Sequence, residues 1–162
     1  MMGKAMRMVE HVKYVTAGAD DVATKLCRLM PNVGEPRFSK RRAICAVVNS
    51  IIMYGAPIWS KATQKDRYRN MPIRVRRKMA IRISSAYRTV STEAVQVMAG
   101  LIPPDLQIKE RTASYNDPDS NQLRANKMEE WQRRWYNLAR KAAWTRELIS
   151  DVAEWRTGDM TR

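Results

Sequence analysis

Between residues 37 and 88 the chain carries fourteen cations: Arg37, Lys40, Arg41, Arg42, Lys61, Lys65, Arg67, Arg69, Arg74, Arg76, Arg77, Lys78, Arg82 and Arg88. Against them stands a single acid, Asp66. The same stretch contains eighteen consecutive residues without a charge, from 43 to 60. Taking an unpaired charge out of water is costly. Such a segment therefore folds at least cost when its cations are confined to one face, or to the ends, of the elements that bury its apolar residues. The formal net charge of the whole chain is +14, so nearly all of it lies in this one third. A field that concentrated points to a polyanionic partner, nucleic acid first and an anionic membrane surface second.

The apolar residues repeat at helical spacing, and no alternating strand pattern is present. Ala5, Met8, Val12, Val15, Ala19, Val22, Leu26 and Leu29 recur in steps of three and four, which predicts a helix over 4–30 with one apolar stripe. Pro31, Gly34 and Pro36 end it. Ser39 is the expected cap of a second helix reaching Tyr54. Its residues 43–53 are apolar all round, so it is expected to be the central, buried helix. Gly55-Ala56-Pro57 breaks it. A third helix is expected over about 70–88, with Pro72 in its first turn. At 100° per residue, Ile73, Val75, Met79, Ala80, Ile83, Ala86 and Tyr87 fall on one side. Arg74, Arg77, Lys78, Arg82 and Arg88 fall on the other, while Arg76 interrupts the apolar side. Ser91 caps a short helix to Ala99, stopped by Gly100. Pro103-Pro104 opens another to about Tyr115. Residues 116–121 form a polar loop, the best internal hinge. Helices over 122–143 and 145–156 follow, the second with Leu148, Ile149, Val152 and Trp155 inward. The expected fold is all-α, an irregular bundle of about six helices, divided into a helical domain over 1–115 and a helical extension over 116–162.

Few residues suggest chemistry. Two cysteines, Cys27 and Cys45, and one histidine, His11, supply neither a disulfide framework nor a Cys/His zinc site. No metal or cofactor is expected. Asp20-Asp21 follows Ala19 as in the carboxylate pair of polymerases, where two magnesium ions are held. That chemistry needs a hairpin turn, whereas here the pair lies within a helical stripe and reads as two surface acids. Glycines are scattered, with no phosphate-cradling loop. The 18-residue uncharged run approaches the length of a membrane span, but Asn49, Ser50, Gly55, Pro57 and Ser60 interrupt it and favour a buried helix and turn. No signal peptide is visible, so an intracellular, nuclear or nucleocytoplasmic location is expected. The tryptophans sit at core-like helical spacing, with Trp135, beside Arg133 and Arg134, the best candidate for base stacking.

Several strings together resemble the reverse transcriptase of insect-type non-LTR (LINE-like) retrotransposons, in the region just after the palm. They are Leu29-Met30-Pro31-Asn32, then Tyr54-Gly55-Ala56-Pro57-Ile58-Trp59, then Ala86-Tyr87-Arg88-Thr89-Val90-Ser91. The likeness continues through Ala94, Val95, Ala99-Gly100 and Pro103-Pro104-Asp105-Leu106 to Glu110-Arg111. It resumes at Trp131, Arg134-Trp135, Trp144-Thr145, Leu148-Ile149, Asp151-Val152 and Trp155. Glu35 replaces a usual glycine and Ser150 a usual proline. The resemblance implies a helical thumb and the linker after it, gripping template and product, with the catalytic Asp-Asp lying upstream. The family's zinc knuckle is missing, which suggests a truncated, non-catalytic fragment or a relic reading frame. The residues expected to touch nucleic-acid backbone, whether RNA, DNA or their hybrid, are Arg74, Arg77, Lys78, Arg82 and Arg88, with Arg41 and Arg42 as a second patch. The alternative is a protein-interaction module that docks on the palm or another chain.

Overall fold

The computed structural model describes residues 2–31, 37–116, 120–138 and 142–158. Among these residues the fold is all-α, without a strand. The order is α1 (Met2–Cys27), α2 (Phe38–Met53), α3 (Ala56–Trp59), a 3-10 turn (Ser60–Gln64), α4 (Asp66–Ser84), α5 (Thr92–Met98), α6 (Pro104–Asn116), α7 (Ser120–Asn137), α8 (Ala143–Leu148) and α9 (Val152–Thr157). The expected loop over 31–36 and hinge over 116–121 fall largely outside the described residues, as does the side chain of Ala5.

The stripe on α1 buries Val12, Val15, Thr16, Ala19 and Ala23 against α2 and α4. The helix stops at Cys27, so Leu29 leaves the stripe and is 61% exposed, while Met30 is fully buried in its place. On α2 the buried residues are Arg41, Cys45, Val48, Ile52 and Met53. These define one face. Ala43, Ala46 and Val47 are exposed, so α2 is not buried all round. Its principal neighbours are α1 and α4, and among the described residues its far side is left to solvent. Arg37, not Ser39, occupies the cap position, and it makes no side-chain capping bond. Gly55, in the left-handed conformation at φ 64°, turns the chain by 50° and brings Trp59 into the core, fully buried. Among the described residues no single helix is long and apolar enough to cross a membrane; the bent pair 38–53 and 56–64 reaches that length together.

Helix α4 begins earlier and ends earlier than the wheel over 70–88 implied. Asp66 stands in its first turn, where an acid favours the helix dipole. Pro72 is consequently in the helix interior, buried, where it removes one backbone donor. Ser85 is left-handed at φ 51° and ends the helix. The buried Arg41 guanidinium then donates to the Arg82 carbonyl at 2.6 Å and to Ser85 Oγ at 3.2 Å, satisfying a carbonyl in the final turn that the helix leaves unpaired. Tyr87 lies beyond this stop and is 84% exposed, not on the core face.

The short helix is capped as its sequence predicts. Ser91 Oγ accepts from the Ala94 amide at 3.2 Å, and Gly100 follows at φ 62°. The expected final helix over 145–156 is two helices, broken around Ser150. Gln132 on α7 holds the break by donating to the Ser150 carbonyl at 2.7 Å and accepting from the Val152 amide at 2.8 Å. Asp151 caps α9 through the Ala153 and Glu154 amides. Leu148 is 84% exposed, the reverse of the expectation, while Ile149 and Val152 are buried.

Two apolar clusters result. One joins α1, α2, α3 and α4 to Val95, Ala99, Leu101 and Ile108. The other joins Ala94, Val97, Ile102 and Leu106 to Trp131, Trp135, Ile149 and Val152. Helices α5 and α6 thus contribute to both, so residues before 116 build half of the core on which the C-terminal segment rests.

Candidate nucleic-acid interface

The expected cations separate into groups once folded. Arg74 and Lys78 are exposed on α4. The early start of α4 adds Arg67, also exposed, seven residues before Arg74 and eleven before Lys78. On a helix those spacings form one line, with rises of about 10 Å and 6 Å between successive cations. Lys78 Nζ is 2.6 Å from Asp20 of α1. Both side chains are about half exposed, and such pairs are worth only about 0.2–1 kcal/mol. Asp20 is therefore an ion-pair partner, and Asp21 pairs with Lys25 at 2.7 Å.

The other expected residues take different places. Arg77 is half-buried and donates to the Arg88 carbonyl at 2.8 Å, the Val90 carbonyl at 2.7 Å and Thr92 Oγ1 at 3.2 Å. It holds the 85–91 loop against α4. Arg82 is half-buried beside Cys27. Burial pushes the Cys27 thiol up, and the Arg82 guanidinium opposes that. Arg88 is exposed but lies in the loop after α4. Arg41 is 3% exposed and engaged in the helix stop, which removes it from the surface patch. Arg42 lies over the Phe38 ring, 5.9 Å from its centroid, facing a small cavity rather than α4's solvent side.

A large concavity lies elsewhere. An open groove of about 1220 Å³ runs between the α3–3-10 segment and α6. Lys61, Arg69, Lys109 and Arg111 line it, together with Tyr54 and Tyr115. The two tyrosines are 77% and 79% exposed. At its edge Arg134 binds Asp105 at 2.6 Å and Glu130 at 2.6 Å, and Lys109 reaches Glu130 at 3.2 Å. Burial disfavours the Arg134 cation, but the Asp105 hydrogen bond and charge outweigh it and hold its pKa above the ordinary arginine value. Arg69 pairs with Asp66 at 2.7 Å. The groove therefore combines the exposed Lys61 and Arg111 with two solvent-facing aromatic rings, a combination suited to phosphates and unstacked bases.

Sequence reasoning missed Arg67 because the helix start was placed too late. It missed the groove because its two walls are some fifty residues apart. Tyr54 and Tyr115 each close an apolar helix pattern, which carries no sign that they face outward. Among the tryptophans, Trp135 is buried and donates Nε1 to the Ile149 carbonyl at 2.8 Å. Trp144, at 81% exposure, is the one available to solvent instead.

Compared with models of protein families, with curated proteins and with solved structures, the chain matches none.

Proposed function

We propose that this chain is a non-catalytic, sequence-nonspecific nucleic-acid-binding module, and that it derives from the thumb region of a LINE-like reverse transcriptase. The observation that carries the binding reading is the α3–α6 groove, with Lys61 and Arg111 beside the exposed Tyr54 and Tyr115. The α4 line of Arg67, Arg74 and Lys78 supports it, because one-signed cations at regular helical spacing contact backbone and read little sequence. The open tyrosines favour a single strand, RNA or DNA, over a duplex. The thumb origin rests on the ordered strings from Leu29 to Trp155 described above. The non-catalytic reading is supported by Asp20 and Asp21, each paired with a lysine on a helix surface.

The test is fluorescence anisotropy of a labelled single strand across a salt series. The logarithm of affinity should fall by about 0.7 per decade of salt for each phosphate neutralised. Reversing Lys61 and Arg111 to Glu should weaken binding at low salt and flatten that slope. Binding that ignores salt, or that survives reversal of Lys61, Arg111, Arg67 and Arg74 together, would sink the reading.

A second reading, a protein-docking module, is favoured by one observation. Ala43, Ala46 and Val47 leave an exposed apolar face on α2, with Val47 50% exposed. Large exposed apolar patches drive association. Light scattering should then show concentration-dependent self-association that Val47→Glu abolishes; a monomer at all concentrations speaks for the first reading.

A further inference from the structure

A second cationic site lies away from the groove, where α2, α4, the α5–α6 turn and α9 meet. Arg42, Arg76 and Arg156 line a cavity of about 140 Å³ there, together with Asn49, Gln107 and Gly100. Arg76 is 3% exposed. Its Nη1 donates to Asn49 Oδ1 and to Gln107 Oε1, the latter at 3.2 Å. Both acceptors are neutral, and Arg76 Nε is buried with no hydrogen-bond partner. Among the described residues no carboxylate pairs with any of the three arginines. Glu110 acts on Arg156 through space, but it is already paired with Lys127 at 2.5 Å. A β-carbon on Gly100 would stand 3.8 Å from both Arg42 Cζ and Arg156 Cγ, so both arginines lie against this glycine.

Such an arrangement is unfavourable as it stands. A buried guanidinium without a counter-charge costs several kcal/mol, and two more cations beside it add repulsion. Burial lowers the Arg76 pKa and Arg156 lowers it further; burial, then Arg42, lowers that of Arg156. One anion in the cavity would relieve all of this. Guanidinium forks match the oxygens of phosphate two at a time, and the orphaned Nε adds a donor. The space lies below the ~300 Å³ of ordinary ligand pockets and suits a ligand no larger than a single phosphate group.

We infer that the Arg42–Arg76–Arg156 cavity is a binding site for one phosphate group. The group is either free inorganic phosphate or a phosphate of a polynucleotide presented at the cavity mouth. The inference stands apart from the groove, whose lining residues it does not use.

The experiment follows thermal unfolding of the full chain in inorganic phosphate against sodium chloride of equal ionic strength. Phosphate at about five times its Kd should raise Tm by roughly 2–4 °C beyond chloride. Arg156→Gln, at a half-exposed position that does not anchor a core, should lose that excess, and Arg42→Gln likewise. Circular dichroism checks that each variant is folded. A parallel arm uses a short single-stranded oligonucleotide in place of phosphate. An Arg156-dependent shift with inorganic phosphate supports the free-ion source. A shift of that kind only with the oligonucleotide supports the polynucleotide source. Equal shifts in phosphate and chloride with no Arg156-dependent shift from the oligonucleotide, or full responses retained in both variants, would overturn the site.

Discussion

Glu130 sits between two cations, Arg134 at 2.6 Å and Lys109 at 3.2 Å. Partial burial works against its charge, but the hydrogen bonds from Arg134 and Lys109 prevail and hold its carboxyl below the ordinary 4.5. A carboxylate whose folded pKa is depressed contributes stability that is fully present above its unfolded pKa. That contribution is lost as pH falls through the folded value. The wild-type urea midpoint should therefore decline from about pH 4.5 downward. Glu130→Gln should be less stable than wild type at neutral pH and should decline less steeply in that acid window. Parallel curves for the two proteins would show that the pair contributes nothing. Arg41 and Arg42 carry the complementary lesson at this scale. Adjacent and chemically identical, they differ by a 100° step around α2. One step places Arg41 inside, on the Arg82 carbonyl, and the next places Arg42 against Phe38 and the small cavity. No local signal separates them, because the partner of Arg41 lies forty-one residues away.

Helix α4 was legible in its character and not in its limits. Its apolar side, Val75, Met79, Ala80 and Ile83, is buried as the wheel places it. Its start was misread because Pro72 suits a first turn, and its end because Ser85, not a glycine, takes the left-handed stop. The caps Ser91 and Gly100 were legible because their partners lie within a few residues. The break between α8 and α9 was not, since Gln132 holds it from α7. At this scale the groove makes its own prediction. Tyr54→Ala and Tyr115→Ala should each weaken single-strand binding by about 1–3 kcal/mol, roughly five- to 150-fold, while leaving the salt slope unchanged. Phenylalanine at either position should restore the affinity. A lowered slope in the alanine variants would mean that the rings act by holding cations in place, not by stacking.

Across the whole molecule, α5 and α6 belong to both apolar clusters, so the two should unfold together. Trp59 anchors the first and Trp135 the second, each at 1% exposure or less. Replacing either by Ala should cost about 3–5 kcal/mol and move the same single transition, followed by circular dichroism and tryptophan fluorescence. Two separated transitions, with each variant moving only one, would show that the clusters are independent units. The amino-acid order by itself determined that the chain is helical, which faces of α1 and α4 are apolar, and that one third of it carries almost all the charge. Periodicity and capping act within a few residues, and charge is additive, so these properties need no partner. The tertiary structure alone decided which cations are left to solvent, which are spent on backbone carbonyls, and which converge without a counter-ion. It also decided that Tyr54 and Tyr115 share one groove. Those outcomes depend on pairs of residues brought together from distant positions, and burial and hydrogen bonding have no value until both members of a pair are in place.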